Sequence, residues 1–429
     1  MQTQRRSPVF YGWCIVAVTF IIALVTVGTR NAFGVFVVPM SAEFGWNRAT
    51  ISFAASLASL VSGLSQPVLG RLVDAYGGRR VMLVSLAVFG IGTILLYATF
   101  NLVFFVLLFG MLLPVASGGA SLTTTNTMLS RWFHRQRAMV LSLNTAGASV
   151  GGLLLVPLAM ALLHLTDWRL TWAVLGTAIV VLTLPLGFIF LRDDPGSMGL
   201  LPDGDPLSTA GGPASATSTA LGPLETDSWR LACHSAPFWQ ITGAYFICGF
   251  TTAILNTHFV PYAIDQGFSP ATAASAFGLL SGLNILGVLA VGVLADRMGR
   301  KDLLAWVYAA RGCAYALLLL APGAWSLWSF AVVLGVSYWA SAPLTASLTA
   351  DMYGLKVLGT LSGMSFLAHQ IGGAASIQFA GVMRDLTGSY TMPFAVAGLL
   401  LLPAALAAFA IRERQYSVKY QPLPDTIGS

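Results

Sequence analysis

Side chains able to do chemistry are sparse in this chain. Arg30, in VTVGTRNAFGVF (25–36), falls inside the first long apolar run. An arginine at mid-membrane depth costs about 2.5–3.5 kcal/mol on insertion scales, and its default reading is functional. On a helix its face carries Thr19, Ala23, Thr26, Arg30, Phe33 with Gly34, and Val37, a mildly polar stripe with small residues that suits a cavity wall. The chemistry it offers is anion binding. The bland alternative is snorkelling, since Arg30 lies about 10 Å from the nearer end of the run at 1.5 Å per residue. His258 and Asn256 share ILNTHFVPY, and His369 sits in FLAHQIGG beside Gly372 and Gly373. A histidine titrates near pH 6.5 and binds a carboxylate when protonated, or it packs as a hydrogen-bonded core group. Asn126 and Tyr338 (in GVSYWASAPL) offer polar groups to a cavity or bridges between helices. Arg311 is a second arginine in an apolar run.

The elements that position these residues follow from composition. Of 429 residues, 56% are apolar and 9% charged, with a mean hydropathy of +0.77; a soluble domain carries about 25% charged residues. Apolar runs of about 20 residues recur throughout, each enough to cross a hydrocarbon core of about 30 Å as a helix, whereas a β-barrel would show short alternating segments. The expected fold is therefore all-α and polytopic. Twelve spans are expected at 11–37, 49–70, 81–99, 102–129, 138–161, 169–191, 235–263, 270–292, 303–322, 325–349, 357–382 and 389–411. MQTQRRSP precedes a run too long for a signal h-region, so that run reads as a first spanning helix. Residues 192–234, rich in Pro, Gly, Ser, Thr and Ala, read as a cytoplasmic linker between six-helix halves at 1–191 and 235–411, with a cytoplasmic tail at 412–429. With the N-terminus inside, nearly all arginines and lysines fall on the cytoplasmic side, and only Arg48, Arg169 and Arg384 fall outside, the positive-inside pattern. This predicts a multi-pass inner-membrane protein with both termini cytoplasmic. The net charge of +6 then follows from topology and calls for no nucleic-acid partner. Cys14, Cys233, Cys248 and Cys313 have no ligand spacing, so no metal, cofactor or disulfide framework is expected.

The halves repeat. GRLVDAYGGRR (70–80) follows the second span and GVLADRMGRKD (292–302) the eighth. The loop pattern G-x-L-x-D-x-x-G-x-R/K is met by Gly70, Leu72, Asp74, Gly77 and Arg79, with Arg80 adjoining, and again by Gly292, Leu294, Asp296, Gly299 and Lys301, with Arg297 and Arg300 also in pattern. An aspartate at a helix end accepts from backbone N–H groups and pairs with arginine, and the glycines permit close helix approach. Such an element would latch the cytoplasmic side in one conformation and release it in another. The pattern and the twelve spans resemble the major facilitator superfamily over essentially the whole chain. YGWCIV, RNAFGVF, GWNRATIS, GLLPDGD and DLTGSY resemble bacterial relatives of the monocarboxylate porters and oxalate/formate antiporters.

The superfamily resemblance implies that spans 1, 4, 7 and 10 line a central cavity, with spans 3, 6, 9 and 12 outside. Arg30, Asn126, Asn256, His258 and Tyr338 then fall on cavity helices, and Arg311 on a peripheral one. Monocarboxylate porters carry a basic residue in span 1 that corresponds to Arg30 or Asn31, and the oxalate/formate antiporters carry a lysine in the span of His369. Their acidic residue and arginine of span 8 correspond here to Asn284 and Val288, a departure that speaks against a simple lactate-type mechanism. All sixteen carboxylates fall in loops, termini or span ends, leaving histidine as the evident proton relay and the substrate's own charge as the partner for Arg30. NTAGASVGGLLLVP (144–157) places Gly147 and Gly151 at four-residue spacing, read as helix packing. The expected function is secondary transport of a small organic anion, a monocarboxylate or aromatic carboxylate, by a single chain, driven by a proton or an exchanged anion. The other open reading is transport, including efflux, of a neutral or amphiphilic compound such as a vitamin or drug. No nucleophile–base constellation or phosphate-cradling loop is found, so neither an enzyme nor an ATP-driven pump is expected.

Overall fold

The computed structural model describes residues 10–46, 48–204, 223–321 and 323–421. Part of the expected linker (205–222), residues 1–9 with Arg5 and Arg6, and residues 422–429 lie outside the described residues. Among those described, eleven helices are long and apolar enough to cross a membrane: Gly12–Val37, Phe53–Tyr76, Gly78–Ala98, Leu102–Trp132, Arg137–Leu165, Trp168–Phe190, Ala236–Asp265, Ala271–Arg297, Arg300–Leu320, Ala324–Tyr353 and Thr391–Phe409. One further helix, Leu358–Thr387, is long enough but less apolar, because Ser365, His369, Gln370, Ser376 and Gln378 interrupt its apolar sequence. It is span 11 of twelve in chain order. In hydrocarbon every backbone amide must be paired within its own segment, which selects helices.

The helices pack as two pseudo-symmetric six-helix halves. One hydrophobic cluster is built around Ile22, Phe36, Met82, Trp132 and Trp172, the other around Phe238, Phe259, Tyr308, Leu348 and Phe394. Outward faces carry exposed Phe53, Val84, Trp306 and Leu320, as lipid contact requires.

Several spans are interrupted. Span 1 breaks at Ala32, between helices Gly12–Asn31 and Phe33–Phe44. Span 4 breaks at Ala120–Ser121 and span 10 at Tyr338–Ala340, corresponding places in the two halves. A wide π turn, Val106–Leu112, also runs through span 4. Discontinuous helices at mid-membrane and π turns both recur at functional sites, because irregular backbone there lines a cavity.

Candidate functional site

The sequence places Arg30 two residues before the break in span 1, and the structure puts it on the wall of a cavity of about 190 Å³ inside the first half. Although protein surrounds it, its side chain keeps open surface, and no hydrogen-bond or ion-pair partner stands near it among the described residues. Phe33 of span 1 stacks on Phe109 of the π turn with ring centroids 4.3 Å apart. Trp172 of span 6 stacks on Phe36 at 3.9 Å and lines the same cavity. Ala55 and Ala58 of span 2, with short side chains, complete the wall beside these rings. Phe89 of span 3 and Trp172 thus reach the cavity from the spans that resemblance assigns to the periphery. A lone tryptophan in an apolar run reads as packing, so the sequence carries no signal for it.

Of the remaining sequence candidates, Asn256 and Tyr338 meet: the Tyr338 hydroxyl donates to Asn256 Oδ1 at 2.6 Å, joining spans 7 and 10. Asn126 is buried and accepts from Asn144 Nδ2 at 2.9 Å, bridging spans 4 and 5. Asn31 turns toward span 5, beside Gly152. His258 Nε2 lies 3.3 Å from the Ile377 carbonyl oxygen, with its ring 5.2 Å from that of Tyr390. His369 packs on Tyr245, ring centroids 4.7 Å apart, and its Nδ1 lies 3.3 Å from Gln370 Oε1. Arg30 therefore stands in one half and the histidines in the other.

Arg311 explains itself through the break in span 10. The interruption at Tyr338–Ala340 leaves carbonyls without intrahelical donors. Arg311 Nε and Nη2 donate to Ser337 O at 3.1 and 2.8 Å, and Nη2 also reaches Tyr338 O and Ser341 Oγ. Its Nη1 faces Cys248 Sγ at 3.1 Å. Asn284 serves the opposite need: its Oδ1 accepts from Trp339 N at 2.9 Å, while its Nδ2 donates to Ser149 Oγ across the halves at 3.0 Å. The residue standing where the porters have a carboxylate is a backbone support here.

The two loop motifs meet the opposite half. Most of each motif is helix: span 2 continues past Pro67 to Tyr76 and span 8 to Arg297. Gly77 then turns the chain at φ +88°, a left-handed conformation open to glycine. Asp74 accepts from Gly359 N at 2.9 Å and from Thr360 N and Oγ1 at 2.7 Å each, at the N-terminus of span 11. Asp296 accepts from Ala138 N at 2.9 Å and Met139 N at 2.8 Å, at the N-terminus of span 5. Carboxylates are favoured at helix N-termini, where N–H groups lack partners and the dipole is positive. A methyl group added at Gly70 would lie 2.1 Å from the Gly359 carbonyl oxygen, and one at Gly292 2.4 Å from Ser142 Oγ, so both crossings need glycine.

Within each half a second carboxylate seats the following span. Asp193 accepts from Arg79 N at 2.7 Å, and Glu413 accepts from Arg300 N at 3.0 Å and Lys301 N at 2.9 Å, beside Gly299. Arg80 and Arg297 stay exposed. Between the halves, buried Asp351 of span 10 pairs with Arg137 of span 5 and Arg300 of span 9. At the far end, Glu43–Arg169 (2.5 Å) and Asp265–Arg384 (2.8 Å) each join residues of one half. Hydrogen bonding to Arg169 and Trp168 holds the Glu43 carboxyl below its usual range. The turn before span 5 is seated by Asp203 of GLLPDGD, which accepts from His134 N at 3.1 Å and Arg135 N at 3.0 Å. Burial, with the nearby Arg137 charge, pulls the His134 imidazole down to about 4.

Two packed helical halves latched to each other at one end, with a cation on a cavity wall inside the first half, are the architecture of a membrane transporter. The chain belongs to the Major Facilitator Superfamily, whose family model matches residues 19–377. It is 27% identical over 400 residues to an uncharacterized MFS-type transporter, YcxA, of Bacillus subtilis, covering 92% of this chain and 93% of that one. It is also 27% identical to monocarboxylate transporter 13 of Rattus norvegicus, covering 91% and 87%. Its fold matches the crystal structure of the E. coli fucose:proton symporter FucP with a TM-score of 0.68 at 17% identity, over 92% of this chain and 97% of that one.

Proposed function

We propose that the protein is a secondary transporter of a small organic anion, working by alternating access as a single chain in the cytoplasmic membrane. The observation that carries this reading is Arg30: a cation on a cavity wall with no carboxylate beside it. A bound carboxylate would remove the cost of that unpaired charge. In this reading the latched end is cytoplasmic, as the arginine and lysine distribution favours, and so are both termini. Residues 1–191 and 235–411 are the moving halves joined by the segment 192–234, and the Asp74 and Asp296 contacts are the gate that must part for release inward. The driving ion is a proton or an exchanged anion. The described carboxylates gather at the latches and span ends, so His258 and His369 are the groups placed to carry a proton. The monocarboxylate relatives support an anionic cargo.

The test is uptake of labelled monocarboxylates into proteoliposomes by wild type and Arg30→Ala. At least a tenfold loss is expected in the variant, with Arg30→Lys retaining part of the rate. Unchanged anion uptake by Arg30→Ala would sink the proposal and favour a neutral or amphiphilic cargo.

A further inference from the structure

Arg30 is not the only polar group left waiting in its cavity. Trp172 is 2% exposed and its indole Nε1–H has no hydrogen-bond partner among the described residues. Thr29 is 1% exposed and its hydroxyl is likewise unpartnered among them. Both line the same cavity as Arg30. The other hydroxyls on this wall are satisfied within their own helices: Thr93 donates to Phe89 O at 2.6 Å, Ser117 to Pro114 O at 3.2 Å and Ser59 to Ala55 O at 3.1 Å. A buried donor without an acceptor costs roughly 1–3 kcal/mol, so two beside an unpaired guanidinium, in one small cavity, point to a missing acceptor-bearing guest. The rest of the wall says what body that guest has. Phe33, Phe109, Phe89 and Trp172 offer flat apolar faces, which favour an aromatic ring by offset or edge-on packing. Spans 3 and 6 close the cavity behind these rings, which limits the length of what enters.

We infer that the cavity is a substrate subsite within the first half for an aromatic monocarboxylate bearing a ring hydroxyl or carbonyl oxygen. The carboxylate meets Arg30, the ring lies among Phe33, Phe109 and Trp172, and the ring oxygen accepts from Trp172 Nε1 or Thr29. This rests on the reading of Arg30 as the anion site, and it adds a second, neutral recognition point whose donors can be removed without touching the charge.

The experiment measures inhibition constants of 4-hydroxybenzoate, benzoate and lactate against uptake of labelled 4-hydroxybenzoate in proteoliposomes, for wild type, Arg30→Ala and Trp172→Phe. Trp172→Phe keeps the ring and removes the N–H. In wild type, 4-hydroxybenzoate should bind about tenfold more tightly than benzoate, the ratio one neutral hydrogen bond supports, with lactate weaker than both. In Trp172→Phe/Thr29→Val the ratio of the two constants should fall to about one, because only the hydroxylated acid loses a hydrogen-bond partner. A cooperative thermal transition of the purified protein without ligand serves as the control that each variant is folded. If benzoate and 4-hydroxybenzoate bind alike in wild type, if lactate is preferred, or if the double variant loses both aromatic acids equally, the subsite is overturned, while loss of all uptake in Arg30→Ala still upholds the anion site. If Arg30→Ala transports every acid normally, both readings fall.

Discussion

Arg311 and Arg30 are the same residue type in the same solvent, and their surroundings separate them. Arg311 spends its donors on the orphaned carbonyls of Ser337 and Tyr338 and on Ser341; Arg30 spends none on the protein. Arg311→Ala should therefore lower thermal stability in detergent strongly, because buried carbonyls lose their donors at roughly 1–3 kcal/mol each. Arg311→Lys should recover only part, since a compact ammonium does not reproduce the planar fork. Both arginines stand out in the sequence, and the superfamily resemblance already sets Arg30 on a cavity helix and Arg311 on a peripheral one, where a structural or lipid-contact role is expected. The sequence could not show which had a partner, because those partners come from a helix break 26 residues away that Ser-Tyr-Trp-Ala does not announce. Thr29 and Trp172 were invisible for a related reason: an unmet hydrogen bond is a property of the packed neighbourhood, not of the residue. His134 carries a pH prediction. Its folded pKa of about 4 lies below the unfolded value of about 6.5. The unfolded chain thus binds the proton first, and this group's contribution to stability, intact above about pH 6.5, is lost as pH falls toward 4. His134→Gln should flatten the thermal midpoint between pH 7 and pH 5 relative to wild type.

At the scale of elements, the spans themselves were legible, because apolar run length and charge placement follow directly from the solvent. Their ends were less so. Spans 2 and 8 run on through Gly70–Asp74 and Gly292–Asp296, so the repeated motif is mainly a helix end pressed against the neighbouring half. That changes what its glycines do. Gly70→Ala would drive a methyl group to 2.1 Å from the Gly359 carbonyl oxygen, and backbone there has no side chain to swing away. The variant should hold spans 2 and 11 apart, which is checked by a longer distance between spin labels placed at the latched ends of the two helices. Span 11 was expected to be an ordinary apolar crossing. Its polar content reflects a helix packed mostly on protein, with Gly372 against Phe246 O and Gly249 against His369 O, so lipid does not set its composition.

For the whole molecule, the two latches are alike in their helix-terminus contacts and unlike in charge. Only the Asp296 side adds the buried Asp351 between Arg137 and Arg300. Asp351 looked like an ordinary span-end carboxylate in the sequence, since its partner Arg137 is 214 residues away. Asp351→Asn takes the ion-pair partner from buried Arg137 and leaves Arg300 only Asp296, 3.4 Å away, at a cost on the order of 3–5 kcal/mol to the latched state. A shift of that size takes a population from strongly closed to mixed or open. The variant should raise the labelling rate of a cysteine placed at Ser142, beside the Gly292 crossing, by more than tenfold, while Asp74→Asn, which removes hydrogen bonds without stranding a buried cation, should raise it less. A final consequence follows from how span 1 meets span 5. A methyl group at Gly151 would lie 2.0 Å from the Leu24 carbonyl oxygen, so the two backbones are in contact up to one turn below Arg30, and the chain then breaks at Ala32. Beyond Ala32 the chain is held as firmly, by Phe36 stacked on Trp172 and by Glu43 paired with Arg169. Span 1 is therefore fixed to its own half on both sides of the break, and in the alternating-access reading the arginine travels with the wall it stands on.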